Sequence, residues 1–135
     1  MEEIPINFWA LTVAALIRIV LGALWYSPIA FIESWRRIVG LDEATMKAGM
    51  GRAIAVDVVG ALVMAFVLVR SVGYAGAATL LQGAEAGFWN WLGFIAVVLL
   101  SATMHEHRPL KYFAINAGYN LIALILMGAL LAVWR

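Results

Sequence analysis

Cysteine is absent from the 135 residues, so disulfides, thiolate nucleophiles and Cys-ligated metals are excluded. Charge is scarce too: Asp, Glu, Lys and Arg make up 13%, against about 25% in a soluble domain. The balance of +1 argues against nucleic acid as a partner. The two histidines, His105 and His107 around Glu106, are too few for a closed tetrahedral zinc site. No Ser/His/Asp set can be assembled at one depth, and no glycine loop is built to cradle phosphate. No catalytic residue, metal or cofactor is therefore assigned, and an enzyme is not expected. Apolar residues fill the space instead, at 65% with a mean hydropathy of +0.96. That places the chain in the membrane class, with the lipid bilayer as its first partner.

Four segments have spanning length, at about 20 apolar residues each. They cover residues 6–26, 52–72, 87–105 and 110–134 of a single transmembrane domain, 1–135. Between the first two, Phe31, Ile32, Trp35, Ile38 and Val39 share a helical face while Glu33, Arg36 and Arg37 fall elsewhere. This pattern predicts a short interfacial helix stopped by Gly40, with Asp42 capping a further turn or two. The expected architecture is all-α: an integral membrane four-helix bundle with that short helix between spans 1 and 2.

Lys and Arg set the expected orientation. The first connection carries Arg36, Arg37, Lys47 and Arg52, and the third carries Arg108 and Lys111. The second carries none, with Arg70 at its edge, and the C-terminus has only Arg135. Both termini are then expected outside the cytoplasmic (inner) membrane. The acidic Met1-Glu-Glu-Ile-Pro5 start lacks the basic region of a secretory signal and reads as retained. All six tryptophans fall at span ends or in the interfacial segment, as an aromatic belt requires.

The first span holds the main anomaly. Arg18 stands at its midpoint, at a cost of about 2.5–3.5 kcal/mol on insertion scales. The surrounding aliphatics offset that charge, but the guanidinium needs partners. At about 100° per residue Arg18 shares its face with Leu11, Ala14, Ala15, Gly22, Trp25 and Tyr26. Val13, Leu16, Val20 and Leu24 face the other way, towards lipid. In the second span Asp57 aligns with Gly60, Ala61, Met64 and Ser71, against Val59, Leu62, Phe66 and Val69. Asn90 aligns with Gly87, Gly93, Val97, Ser101 and Met104 in the third. Asn116 and Asn120 lie with Phe113, Ala117, Ala123 and Met127 in the fourth. Each span has one polar, small-residue face, and the four are expected to converge. By depth Asn120 is the nearest neighbour of Arg18, while Asp57 lies roughly 8 Å nearer the cytoplasm. Gly83-Ala-Glu-Ala-Gly87 suggests close helix packing, between protomers as one option.

Several stretches resemble a known family: Gly22-Ala-Leu-Trp-Tyr-Ser-Pro28, Trp91-Leu-Gly-Phe94, Arg108-Pro109, Ile115-Asn-Ala-Gly-Tyr119 and Met127-Gly128. In this order the chain resembles the bacterial membrane family named domain of unknown function 1761. The resemblance implies a single four-span membrane domain and assigns no activity or catalytic residue. A Phe-Glu-x-Arg-Pro turn is expected there, where this chain reads His105-Glu-His-Arg-Pro109.

Two readings of function remain. In one, the convergent faces form a polar cavity that binds or transports a small amphipathic or anionic molecule, a lipid among the candidates. Arg18 would anchor its charge and Asp57 would be a titratable partner, with Asn116, Asn120, Asn90 and Tyr26 as walls. In the other, the chain is a structural or assembly subunit whose polar faces only lock helices or protomers together. A homo-oligomer is expected on either reading, because four spans leave little room inside one protomer.

Overall fold

The computed structural model describes residues 3–135, so Met1 and Glu2 of the acidic start lie outside it. Six α-helices follow in order, with no strand among the described residues: α1 Phe8–Trp25, α2 Ile32–Val39, α3 Glu43–Tyr74, α4 Leu80–Trp91, α5 Val97–His105 and α6 Leu110–Val133. A π-helical turn, Leu92–Ala96, joins α4 to α5. The pair makes one continuous rod, Leu80–His105. That rod, α1, α3 and α6 are each long and apolar enough to cross a bilayer.

Each helix begins and ends where local chemistry dictates. Asn7 accepts hydrogen bonds from Trp9 N (3.0 Å) and Ala10 N (3.2 Å) at the start of α1, satisfying donors that have no intrahelical partner. Pro28 stops α1 by lacking an N–H and restricting Ser27 before it. Ser27 Oγ then donates to Leu24 O at 2.6 Å. The α2 helix ends on Gly40 in the left-handed region, φ +79°, which costs glycine little. Asp42 Oδ1 accepts from Thr45 N at 2.7 Å and starts α3. Thr79 and Gln82 form a reciprocal cap on α4: Gln82 N donates to Thr79 Oγ1, and Ala78 N donates to Gln82 Oε1.

The expected spans differ from these helices in two places. With its cap at Asp42, α3 runs 32 residues, about 48 Å at the usual rise, and exceeds the roughly 30 Å of hydrocarbon. The third rod begins at Leu80, seven residues before the expected start at Gly87. Trp91 therefore stands at the end of α4, inside that rod and not near its start.

The N- and C-terminal segments meet the α3–α4 turn at one end, called here the terminal half. There Ile4, Asn7, Ala10, Val69, Val72, Leu131 and Trp134 surround a cavity of about 20 Å³. The other end, the connection half, holds α2 and the turn between α5 and α6. Helix α6 packs against every other helix. Its tightest neighbour is α4, where Gly83 faces Gly128 and Gly87 faces Leu124, backbone against backbone. The Gly83–Gly87 pair thus closes a contact inside one protomer. A side chain at either glycine would run into a carbonyl of α6.

Candidate functional site

In α1 the stripe Ala10, Leu11, Ala14 and Ala15 is buried, while Leu16, Val20 and Leu24 are exposed. This is the division that the spacing predicts. The stripe continues down to Arg18 and Gly22. In α3 the matching stripe is Ala61, Ala65, Leu68, Val69 and Val72. Val69 thus belongs to the core and not to the lipid side expected of it, because α1 and α6 both approach α3 at that level.

Ala10 lines the terminal cavity with Val69 and Val72, so α1 and α3 lie side by side and antiparallel there. Counting eight residues along each helix brings Arg18 to the level of Ala61 to Met64, with Asp57 one to two turns nearer the connection end. Here the two helices part. Every α3 residue from Glu43 to Gly60 except Met46 is exposed. Asp57 therefore continues the stripe that packs above it but lies uncovered on the wall of a lateral seam. Its expected neighbour Gly60 is exposed as well, with open space where a Cβ would stand.

Arg18 does not use the partners that depth suggested. Asn120 Nδ2 donates to the backbone carbonyl of Asn116, 2.9 Å away. The guanidinium instead lies over the Tyr119 ring, 4.7 Å from its centroid, where the negative face of the π system attracts a cation. Tyr119 Oη donates to the Arg18 carbonyl at 2.8 Å. Gly22 makes room, since a Cβ there would lie 2.8 Å from Tyr119 Oη. Arg18 Nη1 is buried with no hydrogen-bond partner. The ion pair recorded among the described residues is Arg36–Glu33, on the surface of α2, so Arg18 and Asp57 are not joined directly. Asp57 and Arg18 both act electrostatically on the Tyr26 and Tyr119 hydroxyls, which places all four groups in one neighbourhood.

The surrounding polar groups are satisfied among themselves. Tyr26 Oη donates to Asn116 Oδ1 at 2.6 Å. Trp25 Nε1 donates to Ile115 O at 2.9 Å, and its ring lies against Gly118, where a Cβ would come within 3.3 Å. The Tyr26 ring stands edge-on to Tyr119 and Trp35, at 5.6 Å and 6.2 Å. Two of the stretches that carry the family resemblance, Trp25-Tyr26-Ser27-Pro28 and Ile115-Asn-Ala-Gly-Tyr119, are therefore the two sides of a single contact. Trp91 Nε1 donates to Ala117 O at 2.8 Å, so a third stretch meets the same strip of α6. Trp25 and Trp91 thus turn their indole N–H groups inward onto α6, whereas Trp9 and Trp89 are exposed.

Asn90 is remote from Arg18. It donates to Ser71 Oγ and to Ala86 O, both at 2.8 Å, and ties α4 to α3 in the terminal half. Its expected companions Gly93, Val97, Ser101 and Met104 are exposed. The π-helical turn adds residues per turn and rotates α5 relative to α4, so one face cannot be read through it. Near Asn90, an open depression of about 320 Å³ is lined by Gly76, Gln82, Glu85 and Trp89.

Arg108 and the two histidines have local roles. His107 takes φ +55°, and a double turn closes around it, His107 N to Met104 O and Arg108 N to Thr103 O. This is a helix-stop arrangement usually built on glycine. His105 and His107 are exposed. Arg108 Nη1 reaches across to the Ile38 carbonyl, 2.9 Å away, and its guanidinium stacks over Tyr112 at 5.0 Å. A cation at the C-terminal end of α2 suits that helix's dipole, and it anchors α2 to the bundle.

The arrangement defines a class: an all-α bundle of four membrane-length helices with a short amphipathic helix at one end. Within it a family model matches residues 9–132, and the chain belongs to that family, described as Protein of unknown function (DUF1761). No curated protein and no solved structure matches the chain. Tyr119 is the group that the residue spacing missed. An aromatic ring can hold a cation without bearing a charge, so a search for carboxylates and amides passes over it.

Proposed function

We propose that this membrane protein binds an amphipathic molecule whose anionic head docks on Arg18 at the seam between α1 and α3. One observation carries the reading: Arg18 Nη1 is buried and has no hydrogen-bond partner, while Tyr26, Asn116 and Tyr119 around it are paired. A desolvated cation with a free donor favours an anion. The seam lies beside exposed Val58 and Leu62 on α3, an apolar surface suited to an acyl chain. The Lys and Arg of the first and third connections support a cytoplasmic-membrane setting with both termini outside and the seam open towards the cytoplasmic leaflet.

The test is native mass spectrometry of protein released from nanodiscs that contain phosphatidylglycerol. Wild type is expected to keep a lipid adduct at energies where Arg18→Gln loses it, and Arg18→Lys is expected to keep it in part. Equal adducts on wild type and Arg18→Gln would overturn the proposal.

A second reading has its own support. The bonds Trp25–Ile115, Tyr26–Asn116 and Trp91–Ala117 lock helices to α6 without any ligand, as a structural or assembly subunit needs. Under that reading Arg18→Gln changes thermal stability or oligomer mass and leaves lipid adducts unaltered.

A further inference from the structure

We infer that the head bound at the seam is zwitterionic, a phosphate joined by a short arm to a primary ammonium, with the phosphate on Arg18 and the ammonium on Asp57. This rests on the reading just given and specifies its ligand. Asp57 is exposed on the α3 wall, near the middle of a helix long and apolar enough to cross a bilayer. A carboxylate there needs a cation, and its own helix supplies none. The positions three and four residues away, which share its face, are Ala53, Ile54, Gly60 and Ala61. Arg52 is five residues away and projects from a different side. Across the seam Arg18 stands one to two turns higher and makes no ion pair with Asp57.

Two opposite charges, not joined to each other and about one to two turns (roughly 5–11 Å) apart in depth, are complementary to a dipolar head, with the long Arg18 side chain able to shorten the span. A purely anionic head would satisfy Arg18 and be repelled by Asp57. A purely cationic one would do the reverse. Phosphoethanolamine meets both, and its ammonium protons can hydrogen-bond to a carboxylate, which a trimethylated choline cannot do. The lipid chains would then run from the phosphate towards the middle of the bilayer, along exposed Val58 and Leu62.

The experiment is competition in nanodiscs holding equal amounts of phosphatidylethanolamine, phosphatidylcholine and phosphatidylglycerol, with retained lipids identified by native mass spectrometry. Wild type is expected to enrich phosphatidylethanolamine over both others. Asp57→Asn is expected to shift the ethanolamine-to-glycerol ratio about fivefold towards glycerol, the size of an ordinary charge pair. If wild type retains none of the three, the Arg18 reading itself fails. Retention of phosphatidylglycerol or phosphatidylcholine equal to or greater than that of phosphatidylethanolamine overturns only the zwitterion. So does a Asp57→Asn protein with altered dimer mass and unaltered lipid preference, which would place Asp57 at a contact between copies. The wild-type headgroup preference decides the matter even if Asp57→Asn does not fold.

Discussion

The terminal and connection halves of this bundle are built from similar residues yet end differently. In the terminal half, small residues bring backbones together. Gly83 and Gly87 meet α6, and the alanine stripes of α1 and α3 are buried against each other and α6. In the connection half, α1 remains locked to α6 through the Trp25 and Tyr26 bonds, but α3 leaves the bundle and is exposed from Glu43 to Gly60 except at Met46. Small residues alone do not close a membrane interface. Gly60 is as small as Gly87, yet it is exposed with open space around it, and the charge of Asp57 on the same face makes that face costly to bury. The closed half supplies the stability, and the open half holds the groups with unmet valence.

The sharpest way to break this contrast is to add the same side chain in both halves. Gly87→Val would push a branched side chain into the Leu124 carbonyl, and overpacking against backbone costs about 3 kcal/mol or more. At Gly60 nothing lies within 4 Å of a new Cβ, so Gly60→Ala is expected to stabilise slightly, by about 0.5 kcal/mol, through helix propensity. Unfolding in mixed micelles with increasing SDS measures both. If Gly87→Val unfolds no earlier than wild type, the terminal half is not the closed one.

A smaller effect separates the tryptophans that lock helices from those that float at the surface. Trp25→Phe and Trp91→Phe keep an aromatic ring and lose the donor to Ile115 and Ala117. Each is expected to cost about 1 kcal/mol, the scale of interhelical hydrogen bonds in membranes. Trp89→Phe, at an exposed position, should change unfolding negligibly. If Trp91→Phe behaves like Trp89→Phe, the Trp91 bond to Ala117 contributes nothing to stability.

Much of this was legible in the sequence because hydrophobic length and helical periodicity act locally. The four membrane-length helices, the interfacial helix ended by Gly40, the Asp42 cap and the lipid-facing Leu16, Val20 and Leu24 all follow from residues within a turn or two of each other. Three features did not, each for a definite reason. The π-helical turn at Leu92–Ala96 breaks the periodicity that the Asn90 face relied on, and no single residue there announces it. The indoles of Trp25 and Trp91 turn inward because α6 presents carbonyls opposite them, a fact of tertiary contact. Arg18 is met by the ring of Tyr119, about a hundred residues further on, through a gap that Gly22 leaves. The family stretches in hand marked both sides of that contact without showing that they touch.

The smallest effect concerns where α3 begins, at the far edge of its open half. Asp42 is exposed, and its hydrogen bonds to Thr45 hold its carboxyl below the ordinary value of 3.8. A carboxyl whose pKa is lowered by folding stabilises the folded form above the unfolded value, and that contribution is lost as pH falls through the folded value. Protonation removes the acceptor charge at the helix N-terminus, where the dipole favours a negative group. The first turn of α3 should therefore fray as pH drops below about 4, while Gly83–Gly128 packing is unaffected because no titrating group lines it. Hydrogen exchange at the Thr45 and Met46 amides, extrapolated to a common intrinsic rate across pH 3–6, reads this directly. Asp42→Ala should show the frayed rate at every pH, and Asp42→Asn should lie between the two with no pH dependence. A wild-type Thr45 amide whose protection stays constant to pH 3 would mean that α3 is held at this end by something other than its cap, and that its connection half is less free than its exposure implies.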